Sequence, residues 1–133
     1  MPAETDLDRL LATMRPELLP DEYVFCTLPP GAPVPAGLNP VGTFCEVEGL
    51  TLIVQATEAA AAALPAIYPC RLITLRVHSS LAAVGFLARI STLFAAHGLP
   101  ANVVAGYYHD HLFVPTARAE EALALLAALG AGS

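Results

Sequence analysis

The sequence has no lysine. Its six basic residues are all arginines, Arg9, Arg15, Arg71, Arg76, Arg89 and Arg118, scattered along the chain. Schiff-base chemistry and a lysine-bearing phosphate loop are therefore excluded. Twelve acidic residues bring the formal charge to −6, and no basic cluster exists to grip a phosphate backbone. Nucleic acid is not an expected partner. Tryptophan is also absent, and charged residues make up only 14% of the 133. Apolar residues make up 56%, enough to bury a core, so a disordered chain is excluded as well. The length fits one compact domain, or two very small ones sharing a core.

Cysteine is scarce. Cys26, Cys45 and Cys70 are an odd number without metal-ligand spacing, which does not fit a disulfide scaffold. They are expected to be buried thiols in a reducing cytoplasm. Long apolar runs are missing too. Pro65 stops the alanine run 59–63, and Arg89 and His97 break the stretch that begins at Leu81. Neither approaches the ~18 uncharged residues of a spanning helix. The acidic start, with Glu4, Asp6 and Asp8, does not resemble a secretory signal. No membrane partner is expected.

What is present is a regular alternation of elements. Leu7, Leu10, Leu11 and Met14 form a helical stripe that Thr5 or Asp6 can cap and Pro16 ends. Residues 21–28 read as a strand. Residues 29–42 hold five prolines and three glycines and predict a restricted surface loop. Residues 43–47 and 50–55 predict a hairpin turning at Glu48-Gly49, and Thr57 opens a short alanine-rich helix. Cys70–Val77 reads as the strongest strand. Ser79-Ser80 reads as the start of a helix that Gly98 ends. Residues 102–108 and 111–114 predict strands around a turn at His109-Asp110. A last helix runs from Thr116 to Gly130.

An internal repeat follows. Residues 44–64 overlay residues 106–126 without a gap, both reading strand, turn, strand, capped helix. The second half, 67–133, reads β-α-β-β-α. The first, 1–66, reads as the same unit with its first helix replaced by the proline-rich loop. A β-α-β-β-α unit needs a fourth strand, which must come from the first half or from another subunit. The expected fold is α+β, with two ferredoxin-like units sharing antiparallel sheets and helices on one face.

The run VHSSLAAVGFLARISTLFAAHGLPANVVAGYYHDHLFVP, residues 77–115, resembles an ACT domain. Gly85 matches the family's early helix glycine. Gly98, Leu99, Asn102 and Val103 match its helix end, with a departure at Pro100-Ala101. The phrases RPELLPDEYVF, RLITLRVHSSLAAVG and NVVAGYYHDHLFVP extend the resemblance over nearly the whole chain, toward small bacterial proteins with tandem ACT-like units. The resemblance implies regulatory, non-catalytic binding of an amino acid or similar small ligand, and a homodimer. It places the ligand at Ser79, Ser80, Leu81, Ala82, Val84, Gly85, Asn102 and Val103. The family's Asp-x-Pro-Gly turn is replaced here by Ser79-Ser80. The residues themselves also allow a plainer reading, in which the serines cap a helix and Gly85 permits helix–sheet packing.

A second cluster comprises Arg76, His78, Tyr107, Tyr108, His109, Asp110 and His111. His109 and His111, two apart, share a face if both lie on a strand. Structural or interface use, small-ligand contact and metal binding are all open to them, but a third and fourth metal ligand are lacking nearby. Arg76 must reach solvent, pair with Glu46, Glu48 or Asp110, or meet an anionic ligand. No nucleophile has a detectable base, so no catalytic residue, cofactor or metal is assigned. The alternatives to a ligand sensor are a pure protein-interaction module, and an enzyme using His109 and His111 with a metal or haem.

Overall fold

The structure is a computed structural model that describes residues 3–131. The elements run α1 (Leu7–Thr13), β1 (Arg15–Leu28), β2 (Gly42–Cys45), β3 (Leu50–Gln55), α2 (Ala56–Ala61), β4 (Ile67–Arg76), α3 (Phe86–Ala96), β5 (Asn102–Ala105), β6 (Asp110–Pro115) and α4 (Ala119–Ala131). A 3₁₀ turn, Thr116–Arg118, leads into α4. The strand order is β2-β3-β1-β4-β6-β5, with antiparallel pairing of β1 with β3, β2 with β3 and β5 with β6.

Two compact units divide the chain. Unit one comprises the residues up to Pro20 and those from Arg71 onward; unit two is Asp21–Cys70. The first twenty residues group with the second half.

Unit one has a four-stranded sheet, the Arg15–Pro20 part of β1 followed by β4, β6 and β5. Its fourth strand is thus supplied by the first half of the same chain. Arg71 fastens it, donating from Nε and Nη2 to the Leu19 carbonyl at 2.9 and 2.8 Å. The sequence hid this stretch of strand behind Pro16 and Pro20. Proline removes a ladder donor, but the β3 register begins only at Tyr23, so residues 15–20 run past the end of β3.

Helices α1, α3 and α4 pack against one another in unit one. Phe86, Ile90 and Phe94 recur every fourth residue along α3 and are buried with Leu10, Leu11 and Met14, Ile73 and Leu75, Leu112 and Val114, and Ala122 and Leu126. Each large side chain so buried contributes about 1.5–3 kcal/mol. The Asp6 side chain caps α1 by accepting from the Arg9 N–H at 3.0 Å.

Unit two builds a separate core from Val24, Cys26, Leu28, Leu52, Val54 and Ala59. Ala32 and Leu38 of the proline-rich loop pack against it. The loop thus covers core where a helix is missing.

Several expectations fail in detail. The repeat superposes with a sixty-residue offset rather than sixty-two: Leu52 and Val54 correspond to Leu112 and Val114, all fully buried. A slip of two keeps every strand residue on its own face, so alternation alone cannot detect it. Ser79-Ser80 does not start α3, which opens at Phe86 with Gly85 as its N-cap. The N-cap of α2 is Gln55, without a side-chain cap, not Thr57. Gly130 lies inside α4. Cys45 is exposed, whereas Cys26 and Cys70 are buried.

Candidate functional site

Residues 77–85 carry the chain from β4 to α3. Two three-residue turns close first, Val77 N–H to Leu75 O and Ser79 N–H to Val77 O, both at 2.9 Å. Glu4 then pairs alongside as a one-residue parallel bridge, its N–H donating to His78 O and its carbonyl accepting from the Ser80 N–H, each at 2.8 Å. The Ser80 hydroxyl accepts from the Ala82 N–H at 3.0 Å, tying a local turn rather than a helix.

The loop ends at Gly85, whose φ of +94° is a left-handed conformation that only glycine adopts cheaply. That residue leaves the start of α3 without a side-chain cap. The first N–H groups of a helix carry partial positive charge and favour an anion.

A cavity of about 140 Å³ opens at this point, lined by Ser79, Ser80, Leu81, Gly85, the first turn of α3 (Phe86, Leu87, Ala88), Ala105 and Asp110. Asp110 is only 7% exposed and accepts from the Ser79 hydroxyl at 3.0 Å. The site therefore sets one buried carboxylate and the positive end of a helix in the same small space.

Of the residues expected at the ligand, Ser79, Ser80, Leu81 and Gly85 come together. Ala82 lies in the serine turn, and Val84 is strongly exposed outside the cavity. Asn102 and Val103 are at the far end of β5, paired with Phe113 and Leu112. Ala105, paired with Asp110, takes the place they were expected to hold. Ala105 and the first turn of α3 join the lining without a signal in the sequence, and Asp110 comes from the second cluster. Gly106 was the available signal for the hairpin. Its N–H donates to His109 O at 2.9 Å, so the hairpin turns at Gly106–His109. A Cβ at Gly106 would stand 2.9 Å from that carbonyl and 3.2 Å from His111 Nε2.

The aromatic cluster is correspondingly rearranged. The strand expected over 102–108 stops at Ala105, and Tyr107 and Tyr108 form the hairpin tip, 76% and 63% exposed. Their rings meet at 4.8 Å, and His78 lies 5.6 Å from Tyr108. His109 sits in the turn, with Nδ1 3.4 Å from Val77 O. His111, on β6, has Nδ1 3.0 Å from the Thr74 hydroxyl. The two histidines thus do not share a strand face, and no group of three metal-ligating side chains occurs among the described residues. Burial pushes the His111 pKa down, and the neighbouring His109 and Arg76 add to this, against a smaller pull from Asp110. Arg76 pairs with Glu17 at 3.1 Å, not with any of the three expected carboxylates. Glu17 belongs to the part of β1 that the prolines hid.

An ACT domain model matches residues 2–71, and a second ACT domain model matches residues 67–128. The chain belongs to the ACT domain family. The matched stretches meet inside β4, and the tandem ACT pair accounts for the ferredoxin-like α+β fold and for the internal repeat. A protein of unknown function from Vibrio cholerae, described as a possible transport protein, is 46% identical over 93% of this chain and 95% of its own, with a TM-score of 0.84. A protein from Agrobacterium tumefaciens shares 19% identity over 88% and 89%, at a TM-score of 0.70. The ligand-free regulatory subunit of aspartate kinase from Thermus thermophilus shares 14% over 90% and 97%, at 0.66. The last two likenesses are of fold. No protein of curated function matches this ACT pair. None of its described helices is long and apolar enough to cross a membrane.

Proposed function

We propose that this tandem ACT protein is a non-catalytic regulatory module that senses a small amino acid at the Ser79–Asp110 cavity. The observation that carries the reading is the opposed polarity of that cavity. An α-carboxylate fits against the uncapped N–H groups of α3, and an α-ammonium fits against the Asp110 carboxylate. At about 140 Å³ the space is well below the roughly 300–1,000 Å³ of pockets for drug-sized ligands. It suits a ligand with few heavy atoms. Occupancy would stiffen residues 77–85 and, through the Glu4 bridge, the start of the chain.

The same reading makes the protein a cytoplasmic homodimer. Strand β5 ends the strand order, all four of its residues are exposed, and Leu81, Val84, Tyr107 and Tyr108 stand exposed nearby. An unpaired edge with apolar neighbours favours pairing with a second copy. These residues also support the second reading, an interaction module without a ligand.

Thermal-shift measurement against the twenty amino acids decides between the two. A sensor gains about 2.7 kcal/mol at a hundredfold excess over its Kd, seen as a raised Tm for one or a few amino acids. Asp110→Asn should remove that gain. A flat response across all twenty would overturn the sensing reading and leave the interaction module.

A further inference from the structure

Unit two carries a larger groove, of about 390 Å³, on a face that its core does not use. Val24, Cys26, Leu28, Leu52 and Val54 point into the core, so by strand alternation Phe25, Thr27 and Thr51 point the other way. Thr27 and Thr51 are register partners in the floor. The opposing wall is Pro65 and Ala66, at the end of the connector from α2, with Ile67, the first residue of β4.

That wall is held in an unusual way. Ala63 and Tyr68, on either side of it, have φ of +55° and +58°, and they are the two non-glycine residues in the left-handed region among those described. Each pays a steric penalty that surrounding structure must sustain, and such strain gathers at ligand sites. The Tyr68 ring packs edge-on against Phe25 at 5.9 Å. Ile67 remains 72% exposed, an apolar side chain that nothing in unit two covers. One carboxylate, Glu46, stands in the lining, and the Thr51 hydroxyl donates to its Oε1.

We propose that this groove is a second small-molecule site, for an amphipathic amine. The ammonium group would meet Glu46, and the apolar body would lie between Phe25 and the Pro65–Ile67 wall. The volume falls within the roughly 300–1,000 Å³ of small-molecule pockets. A mostly apolar wall with a single negative group selects an apolar cation over an anion or a zwitterion. The site is separate from the Ser79–Asp110 cavity and does not depend on the reading of that cavity.

The test is an amide-resonance titration of the full chain with straight-chain amines from butylamine to octylamine, with hexanol as the neutral control. Shifts are expected at Phe25, Thr27, Thr51 and Ile67, with Kd falling roughly fourfold for each added methylene. Hexylamine should bind roughly fivefold tighter than hexanol, and Glu46→Gln should erase that preference. Ile67→Lys should weaken amine binding while leaving the resonances of Ser79 and Asp110 in place. The proposal is overturned if these residues do not shift, or if affinity ignores chain length. It is also overturned if the same resonances move on diluting the protein without amine, because a second copy then occupies the face.

Discussion

The Ser79 hydroxyl donates to Asp110 Oδ2 across 3.0 Å, and both side chains are buried. The bond joins the loop after β4 to the first residue of β6. Removing either partner strands the other, at a cost of about 1–3 kcal/mol. We expect Asp110→Ala and Ser79→Ala each to lower stability by that amount in urea unfolding. The double variant should cost less than the sum of the two, and strict additivity would show that the bond carries no weight.

Gly85→Ala should destabilise by about 1–2 kcal/mol, through its backbone conformation rather than through a clash. The added Cβ would meet only Leu7 Cδ2, at an ordinary 3.4 Å. An unchanged denaturation midpoint would show that the loop does not need the left-handed residue.

His111 sets a pH dependence. Its folded pKa lies below the ordinary value of 6.5, chiefly through burial, so the unfolded chain binds the proton more readily. Stability present above pH 6.5 should fall as the pH drops through 6.5 toward the lowered folded value. His111→Gln should flatten that slope. An equally steep slope in the variant would place the titrating group elsewhere.

The thiols should sort by exposure. Burial, with help from Glu22, pushes Cys70 up to about 12, and burial raises Cys26 as well. Brief iodoacetamide treatment of the native protein at pH 8 should alkylate Cys45 alone, as read by peptide mass. Early labelling of Cys70 would contradict its buried position.

In residues 1–66 expressed alone, α1 should stay unfolded, so that Leu11→Ala leaves the fragment's melt by circular dichroism unchanged. Leu10, Leu11 and Met14 are at most 2% exposed, and the core that buries them is otherwise built from residues beyond 70. Consistently, Leu11→Ala in the full chain should cost about 2–5 kcal/mol. A fragment destabilised by Leu11→Ala would refute the assignment of α1 to that core.

The fold class was legible because alternation and helical stripes are strong signals in this chain. The stripe of Leu7, Leu10, Leu11 and Met14, the strand over 70–77 and the helix that closes at Gly98 all declared themselves. The resemblance carried the family. What the sequence concealed was physical context. Pro16 and Pro20 argue against a strand unless one knows that β3 stops short of them. The two serines look like a helix start because capping chemistry also serves tight turns. The hairpin was displaced because Asp110, an ordinary turn residue, is here buried against Ser79, while Gly106 and two tyrosines make the turn. Four of the eight expected ligand residues therefore line the cavity, and the carboxylate that gives it polarity came from the secondary cluster.

The division of the chain into units also means that parts of one core are made long before their partners. Unit one needs residues 15–20 and 71–76 side by side in its sheet, yet fifty residues of unit two emerge between them. While those are being made, Leu10, Leu11 and Met14 have no core to enter. The core residues of unit two all lie before Cys70, so they are made before unit one is complete. Helix α1, made before unit two, is thus among the last elements to find its place. Until then its apolar stripe is what a chaperone would meet.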